Sequence, residues 1–138
     1  MDMDARERTM IFLEFAESLA ETSPDSALYF ANRAELMLNR DDPGQDLPRA
    51  YKVKGIIYLE LRIHDRSLLY FQKALQEYIK LDRQQDLAFC AHQIGHIYYE
   101  LADYSDAYAF YLQSLSAREK LGDRSGIARM ENNLGTVS

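Results

Sequence analysis

A chain of 138 residues has the length of one domain. Its hydrophobic fraction of 47% is enough for a core, and with three prolines and six glycines it does not read as disordered. A net charge of −6, with Lys and Arg scattered singly among acids, argues against a nucleic-acid partner, and no apolar run approaches the roughly 20 residues of a membrane span.

The acidic start MDMDARER does not read as a signal peptide, so the cytoplasm is the expected compartment. From about Arg6 to Glu21, Met10, Ile11, Phe12, Leu13, Phe15, Ala16, Leu19 and Ala20 predict a helix with a broad apolar sector. Thr22-Ser23-Pro24-Asp25 ends it and starts the next. Ser23 can cap, Pro24 suits a first turn, and Asp25 meets the positive end of the dipole. The second helix runs to about Asn39, with Leu28, Ala31, Ala34, Glu35 and Leu38 at helical spacing, and Arg40-Asp41-Asp42-Pro43-Gly44 breaks it.

A third helix, about Leu47 to Leu61, carries Ala50, Tyr51, Lys54, Gly55 and Tyr58. The fourth, Asp65 to Leu81, turns Leu68, Phe71, Ala74, Leu75, Tyr78 and Ile79 inward. Arg83-Gln84-Gln85-Asp86 leads into a fifth, Leu87 to Leu101, which holds Cys90. That lone cysteine reads as a small buried apolar residue. Asp103 shares the register of Ser23, and both suit a cap, whereas Ile63 between them does not. The sixth helix, Ser105 to Lys120, ends at Leu121-Gly122-Asp123, with glycine where a left-handed residue is wanted. A seventh starts near Ser125 and is still running at Ser138, as expected of a piece of a longer chain.

Moved back forty residues, the stretch from Ala88 to Leu121 falls on itself: Gly95 on Gly55, Tyr98 on Tyr58, Leu101 on Leu61, Tyr111 on Phe71 and Leu115 on Leu75. Moved forward, Gly95 meets Gly135 and Ile94 meets Leu134. A repeat of that length predicts a stacked helical array. Short connections make neighbouring helices antiparallel, giving one domain with hairpin units at 6–40, 47–81 and 87–121 and a half unit at 125–138. At Gly55, Gly95 and Ala74 two backbones can approach closely while Tyr58, Tyr98, Phe71 and Tyr111 fill the space around them. A lone hairpin cannot bury both apolar sides, so each unit depends on its neighbours.

The sets Tyr51/Gly55/Tyr58/Ser67/Phe71/Ala74 and Ala91/Gly95/Tyr98/Ala107/Tyr111/Ser114, with Ile94-Gly95 and Leu134-Gly135, resemble the tetratricopeptide repeat in its forty-residue variety. The first hairpin departs from the pattern, with Phe15 at the glycine position and Ser18 at the tyrosine position, as in an end-capping unit. The resemblance implies an all-α, right-handed superhelix whose first helices line a groove for extended peptides or partner helices. Residues it places there are Phe12, Leu13 and Ala16; Arg49, Lys52, Val53, Ile56, Leu59 and Glu60; Phe89, His92, Gln93, His96, Tyr99 and Glu100; and Arg129, Asn132, Asn133 and Thr136. Asn132-Asn133-Leu134-Gly135 resembles the pattern in which asparagine amides hold a peptide backbone, since an amide both donates and accepts. Lys52 and Arg129 suit a carboxylate clamp, but Ile56 and Asn133 stand at its other positions and leave it incomplete. Ser23-Pro24-Asp25-Ser26-Ala27-Leu28-Tyr29 followed by these repeats also resembles N-terminal regions of bacterial signalling proteins, among them histidine kinases and diguanylate cyclases.

His92 and His96 stand at i and i+4, but Gln93 cannot act as the base of a zinc protease and His64 lies a unit away in an expected turn. They read as polar groove residues able to respond to pH. No nucleophile stands beside a base, and no phosphate loop is present. The expected function is therefore non-catalytic and cofactor-free: a module that binds a protein or peptide. The alternative is self-association through the seventh helix, where Ile127, Met130, Leu134 and Val137 are expected to be exposed.

Overall fold

The computed structural model describes residues 5–41 and 46–137. Among them the chain is all-α, with seven helices: α1 (Ala5–Leu19), α2 (Pro24–Asp41), α3 (Asp46–Glu60), α4 (His64–Lys80), α5 (Gln84–Glu100), α6 (Tyr104–Leu121) and α7 (Arg124–Val137). Each is a helix the periodicity predicts, with ends displaced by less than a turn. Residues 84–86, expected in a connection, form the first turn of α5, and His64 opens α4. Asp42, Pro43 and Gly44 of the expected break lie outside the described residues. No helix is long and apolar enough to cross a membrane among the described residues.

Backbone contacts divide the chain into two compact units, Met1–Tyr70 and Phe71–Ser138, the division falling inside α4. In the first, α1 and α2 run antiparallel, with Phe12 and Phe15 both against Phe30 at ring separations of 6.0 and 5.3 Å. The tight contact is made by small side chains: Ala16, Ala20, Ala27 and Ala31 form one cluster with Val53 and Ile57 of α3. Leu13 and Ala34 join Leu38, Leu47 and Ala50 in a second. Val53, Leu13 and Ala16 are thus core residues, not groove residues, being at most 1% exposed. The helix faces that carry them are closed over by the neighbouring helix.

Lys54 is also interior, 4% exposed, although its residue type predicts a surface position. Its ammonium donates to Glu35 Oε2 of α2 at 2.6 Å and to the Tyr70 hydroxyl of α4 at 3.0 Å, and it sits over the Tyr70 ring. Burial alone would lower its pKa; the hydrogen bonds to Glu35 and Tyr70 outweigh burial and raise it. The lysine therefore stays charged and ties three helices of this unit together. Tyr58 stacks on the same tyrosine at 5.6 Å.

In the second unit α5 and α6 are antiparallel. They approach tightly at Gly95: a Cβ there would stand 2.6 and 2.7 Å from Tyr111 ring carbons and 3.2 Å from the Ala107 carbonyl oxygen. The matching glycine of the first unit, Gly55, accepts a 2.7 Å hydrogen bond at its carbonyl from Ser67 Oγ. Ser67 and Ala107 are forty residues apart, so both glycines face the same register position of the following helix. Ser114 Oγ likewise donates to the Ala88 carbonyl at 2.8 Å, and Tyr98 stacks on Phe110. Phe71, fully buried, meets the edge of Phe89. Ile79 is 49% exposed, not inward, because it lies at the edge of the arc centred on Phe71, Ala74, Leu75 and Tyr78. Met130 of α7 is buried, not exposed as expected. It is 1% exposed and packed with Ala107 and Tyr111, so the expected apolar surface on α7 loses its central residue. Ile127 and Leu134 are half-buried, and the side chain of Val137 lies outside the description.

Four corners share one geometry. Arg62, Asp82, Ala102 and Gly122 have φ of 62°, 53°, 62° and 68°, at intervals of twenty residues. At each, two reversed backbone bonds close the helix: Arg62 N–H to Leu59 and Ile63 N–H to Tyr58, then Asp82 to Ile79 and Arg83 to Tyr78. Ala102 to Tyr99 with Asp103 to Tyr98, and Gly122 to Glu119 with Asp123 to Arg118, repeat the pattern. These are Schellman motifs, which satisfy the last carbonyls of a helix through a left-handed residue. The residue after the left-handed one then accepts the first bond of the next helix, as Ile63 does from Ser67 and Asp103 from Ala107. Asp103 adds a side-chain cap to Asp106 N–H, and Asp123 one to Gly126 N–H. A single residue thus ends one helix and begins another.

Two pairs of substitutions check these readings by urea unfolding. Gly95→Ala should cost about 1–3 kcal/mol, since the buried Tyr111 ring has little room to yield. Gly135→Ala, in the same register with nothing within 4 Å of the added carbon, should be neutral or stabilise by up to ~1 kcal/mol. At the corners, Ala102→Gly should stabilise by about 1 kcal/mol and Gly122→Ala destabilise by a similar amount, because only glycine adopts positive φ without steric cost.

Candidate functional site

The first helix of each hairpin carries the candidate residues. In the first unit, Lys52, Ile56 and Leu59 of α3 are half-buried, and Ile56 leans on the cluster formed by Val53 and Ile57. Arg49 of α3 is neutralised within the unit: it forms an ion pair with Glu17 of α1, its Nε 2.7 Å from Glu17 Oε1, and its other end reaches the Met10 sulfur.

In the second unit the expected residues lie on α5 and α7. Phe89, His92, Gln93 and Tyr99 are half-buried on α5, and His96 is exposed. Phe89 and Tyr99 are each supported from one side, by Phe71 and by Tyr104 at 5.4 Å. On α7, Arg129 and Asn132 are exposed and Asn133 is half-buried. A polar contact joins the two helices: Asn133 Nδ2 lies 3.2 Å from His92 Nε2. The imidazole rests against Tyr111 of α6, 5.8 Å between centroids. Thr136 Oγ1 is turned back onto the Asn132 carbonyl of its own helix. The structure therefore brings His92 and Asn133 together, with Tyr99 packed on the same cluster around Tyr111. Lys52, Ile56 and Leu59 form a separate set within the first unit.

Burial of His92 lowers its pKa to about 4, and the charges of His96, Arg129 and Arg118 add to the effect. At neutral pH the ring is uncharged and Nε2 is free to accept from the Asn133 amide. His96 instead pairs with Glu100 of its own helix at 3.0 Å. The two histidines are committed in different directions, and no group of three metal-ligating side chains occurs among the described residues.

Below this face, Arg118 of α6 pairs with Asp123 at 2.9 Å. The Gly126 N–H bond, then Arg118, holds the Asp123 carboxyl below the usual carboxylate range. Arg118 Nε is buried with no partner. Sequence reasoning missed the Arg49–Glu17 and Lys54–Glu35 pairs, which join residues 32 and 19 apart on different helices. Asp123 was within reach, since it follows the helix-ending Gly122 and precedes Gly126 by the capping interval.

No family model matches the chain, and no curated protein matches it. Among the solved structures that share its fold are two at 21% identity. One is BtubC (BKLC) from P. vanneervenii, with a TM-score of 0.88 and 21% identity over 99% of this chain and 57% of that one. The other is the Rap conjugation gene regulator of the plasmid pLS20, in complex with the Phr* peptide, with a TM-score of 0.74 and 21% identity over 99% of this chain and 40% of that one. The chain thus has a helical-repeat fold and spans little more than half the length of the first and less of the second.

The depressed His92 pKa couples stability to pH. The unfolded ring titrates near 6.5 and the folded one at about 4, so the unfolded state binds the proton more tightly between these values. Stability from this group is complete above pH 6.5 and is lost as pH falls toward 4. Thermal melts of the wild type should show that decline, and His92→Gln should have a flatter profile over the same window.

Proposed function

We infer that the chain is a non-catalytic interaction module of tetratricopeptide type, which binds an extended peptide or partner helix along the face of its first helices. The observation that carries this reading is the Asn133–His92 contact, with Asn132 and Arg129 exposed beside it. A half-buried amide held in one orientation, next to one that is free, suits recognition of a peptide backbone: the first is pre-organised and the second offers donor and acceptor at once. Gln93 extends the polar row along α5, and Tyr99 and Phe89 supply rigid aromatic walls already supported from behind. Lys52, Ile56 and Leu59 give α3 of the first unit one cation and two aliphatic groups. The fold neighbour in complex with a peptide supports this use of the fold, and its description as a gene regulator supports a place in bacterial signalling.

Self-association is the second reading. It draws on α7, where an added carbon on Gly135 would meet nothing within 4 Å and Ile127 and Leu134 are only half covered. The burial of Met130 weakens it, because the central apolar residue of that face is withdrawn into the core.

Selection of peptides from a random display library on the wild-type chain, followed by fluorescence anisotropy, tests the first reading. Asn132→Ala and Gln93→Ala should each weaken the selected peptide about tenfold, or ~1.4 kcal/mol, while Tyr108→Ala on α6 leaves it unchanged. Unaltered binding in both amide variants would reject the groove. A sedimentation profile that depends on chain concentration, and is restored to a monomer by Leu134→Glu, would favour self-association instead.

A further inference from the structure

The repeat contains its own comparison. Arg49 and Arg129 stand eighty residues apart, two repeats, at the same register of α3 and α7. Arg49 is neutralised by Glu17 from the preceding first helix. The preceding first helix of the second unit offers Ile97 at that register, fully buried, and Gln93 one turn before it. Arg129 is accordingly exposed and makes no ion pair among the described residues. The nearby carboxylate of Asp123 feels its charge, but its two oxygens are engaged by Arg118 and the Gly126 N–H. In a chain of net charge −6, Arg129 therefore stands open as a cation on this face.

Resting on the groove reading above, we propose that Arg129, Asn133 and His92 form an anion subsite that takes an acidic side chain of the bound peptide, and that the bound carboxylate makes His92 easier to protonate. The groups facing His92 are His96 on its own helix, Tyr111 and Arg118 on α6, and Arg129 and Asn133 on α7. Burial first, and then the charges of His96, Arg129 and Arg118, keep the empty ring neutral. A carboxylate beside Arg129 reverses that balance and favours the imidazolium. Asn133 can follow the change: turned by half a rotation, its amide presents Oδ1 to the new Nε2–H in place of Nδ2. The proton comes from solvent, and no bond other than N–H is made.

Glutarate serves as a small probe that reads the subsite without needing a peptide. The His92 ring resonance of the full chain is followed by NMR through a pH titration, in glutarate and in chloride at matched ionic strength. The titration midpoint, about 4 without anion, should rise by about one unit or more in glutarate, and Arg129→Gln should abolish the rise. Absence of a rise in the wild type overturns the subsite, and so does an equal rise in Arg129→Gln, which would mean general anion attraction. Circular dichroism of Arg129→Gln checks that this exposed substitution leaves the fold intact. Peptide capture that fails in Asn132→Ala, with no glutarate effect, rejects this subsite alone; a glutarate effect with no selectable peptide rejects the groove and leaves the anion site.

Discussion

The left-handed corner residue is the constraint on which the rest of the chain turns. Arg62, Asp82, Ala102 and Gly122 each close one helix and hand the backbone directly to the cap of the next, at a spacing of twenty residues. With no residue to spare between helices, each pair is forced into an antiparallel hairpin, and the axial offset of one helix against the other is set before any side chain packs. Three of the four positions accept the steric cost of positive φ in a non-glycine residue, of order 1 kcal/mol each. The structure carries that cost because each corner satisfies carbonyls that a frayed helix end would leave to water.

Given that offset, the interior follows from size. Where two helices cross closely the residues are Gly95, Ala107 and Ser114, or Gly55 and Ser67, and where they diverge the residues are tyrosine and phenylalanine. The two serines lose no hydrogen bond on burial, because each donates to a carbonyl of the facing helix that already serves its own helix. Lys54 is the exception to an apolar interior. Its stability comes from having both a carboxylate and a hydroxyl within reach, since a buried ammonium with one partner missing would be strongly unfavourable. Such a group adds little net stability but fixes which faces of α2, α3 and α4 meet.

The fold was legible in the sequence because its main determinants are periodic. Leu61, Leu81, Leu101 and Leu121 precede the four corners, and the forty-residue recurrence of glycine and aromatics places the crossings. Glycine at 122 announces one left-handed corner; arginine, aspartate and alanine at the other three give no such signal, so their shared conformation was hidden. Less legible were burial at the margins and pairing between helices. Ile79 and Met130 sit where a rotation of a few tens of degrees decides between core and solvent, and α7 turned Met130 inward onto Tyr111. Ion pairs such as Arg49–Glu17 depend on which helices become neighbours, which no local pattern states. The candidate residues on α5 were legible as a polar face, but the neutral, amide-bound state of His92 was not, because it depends first on burial and then on Arg118, Arg129 and Asn133 arriving from other helices.

A repeat protein duplicates every register position, yet only some copies are needed to hold the array together. That redundancy explains why the same position can be structural in one unit and chemically open in another. Arg49 spends its charge on Glu17 and thereby fastens α3 to α1. On α7, where Asn133 already bridges to α5 through His92, that fastening role is filled by an amide, and the arginine four residues before it is released from structural duty. Replacing an ion pair by a neutral hydrogen bond at the helix junction is what frees a charge for the surface. The electrostatic character of the face then follows from this exchange, and it needs no change in the backbone that both units share.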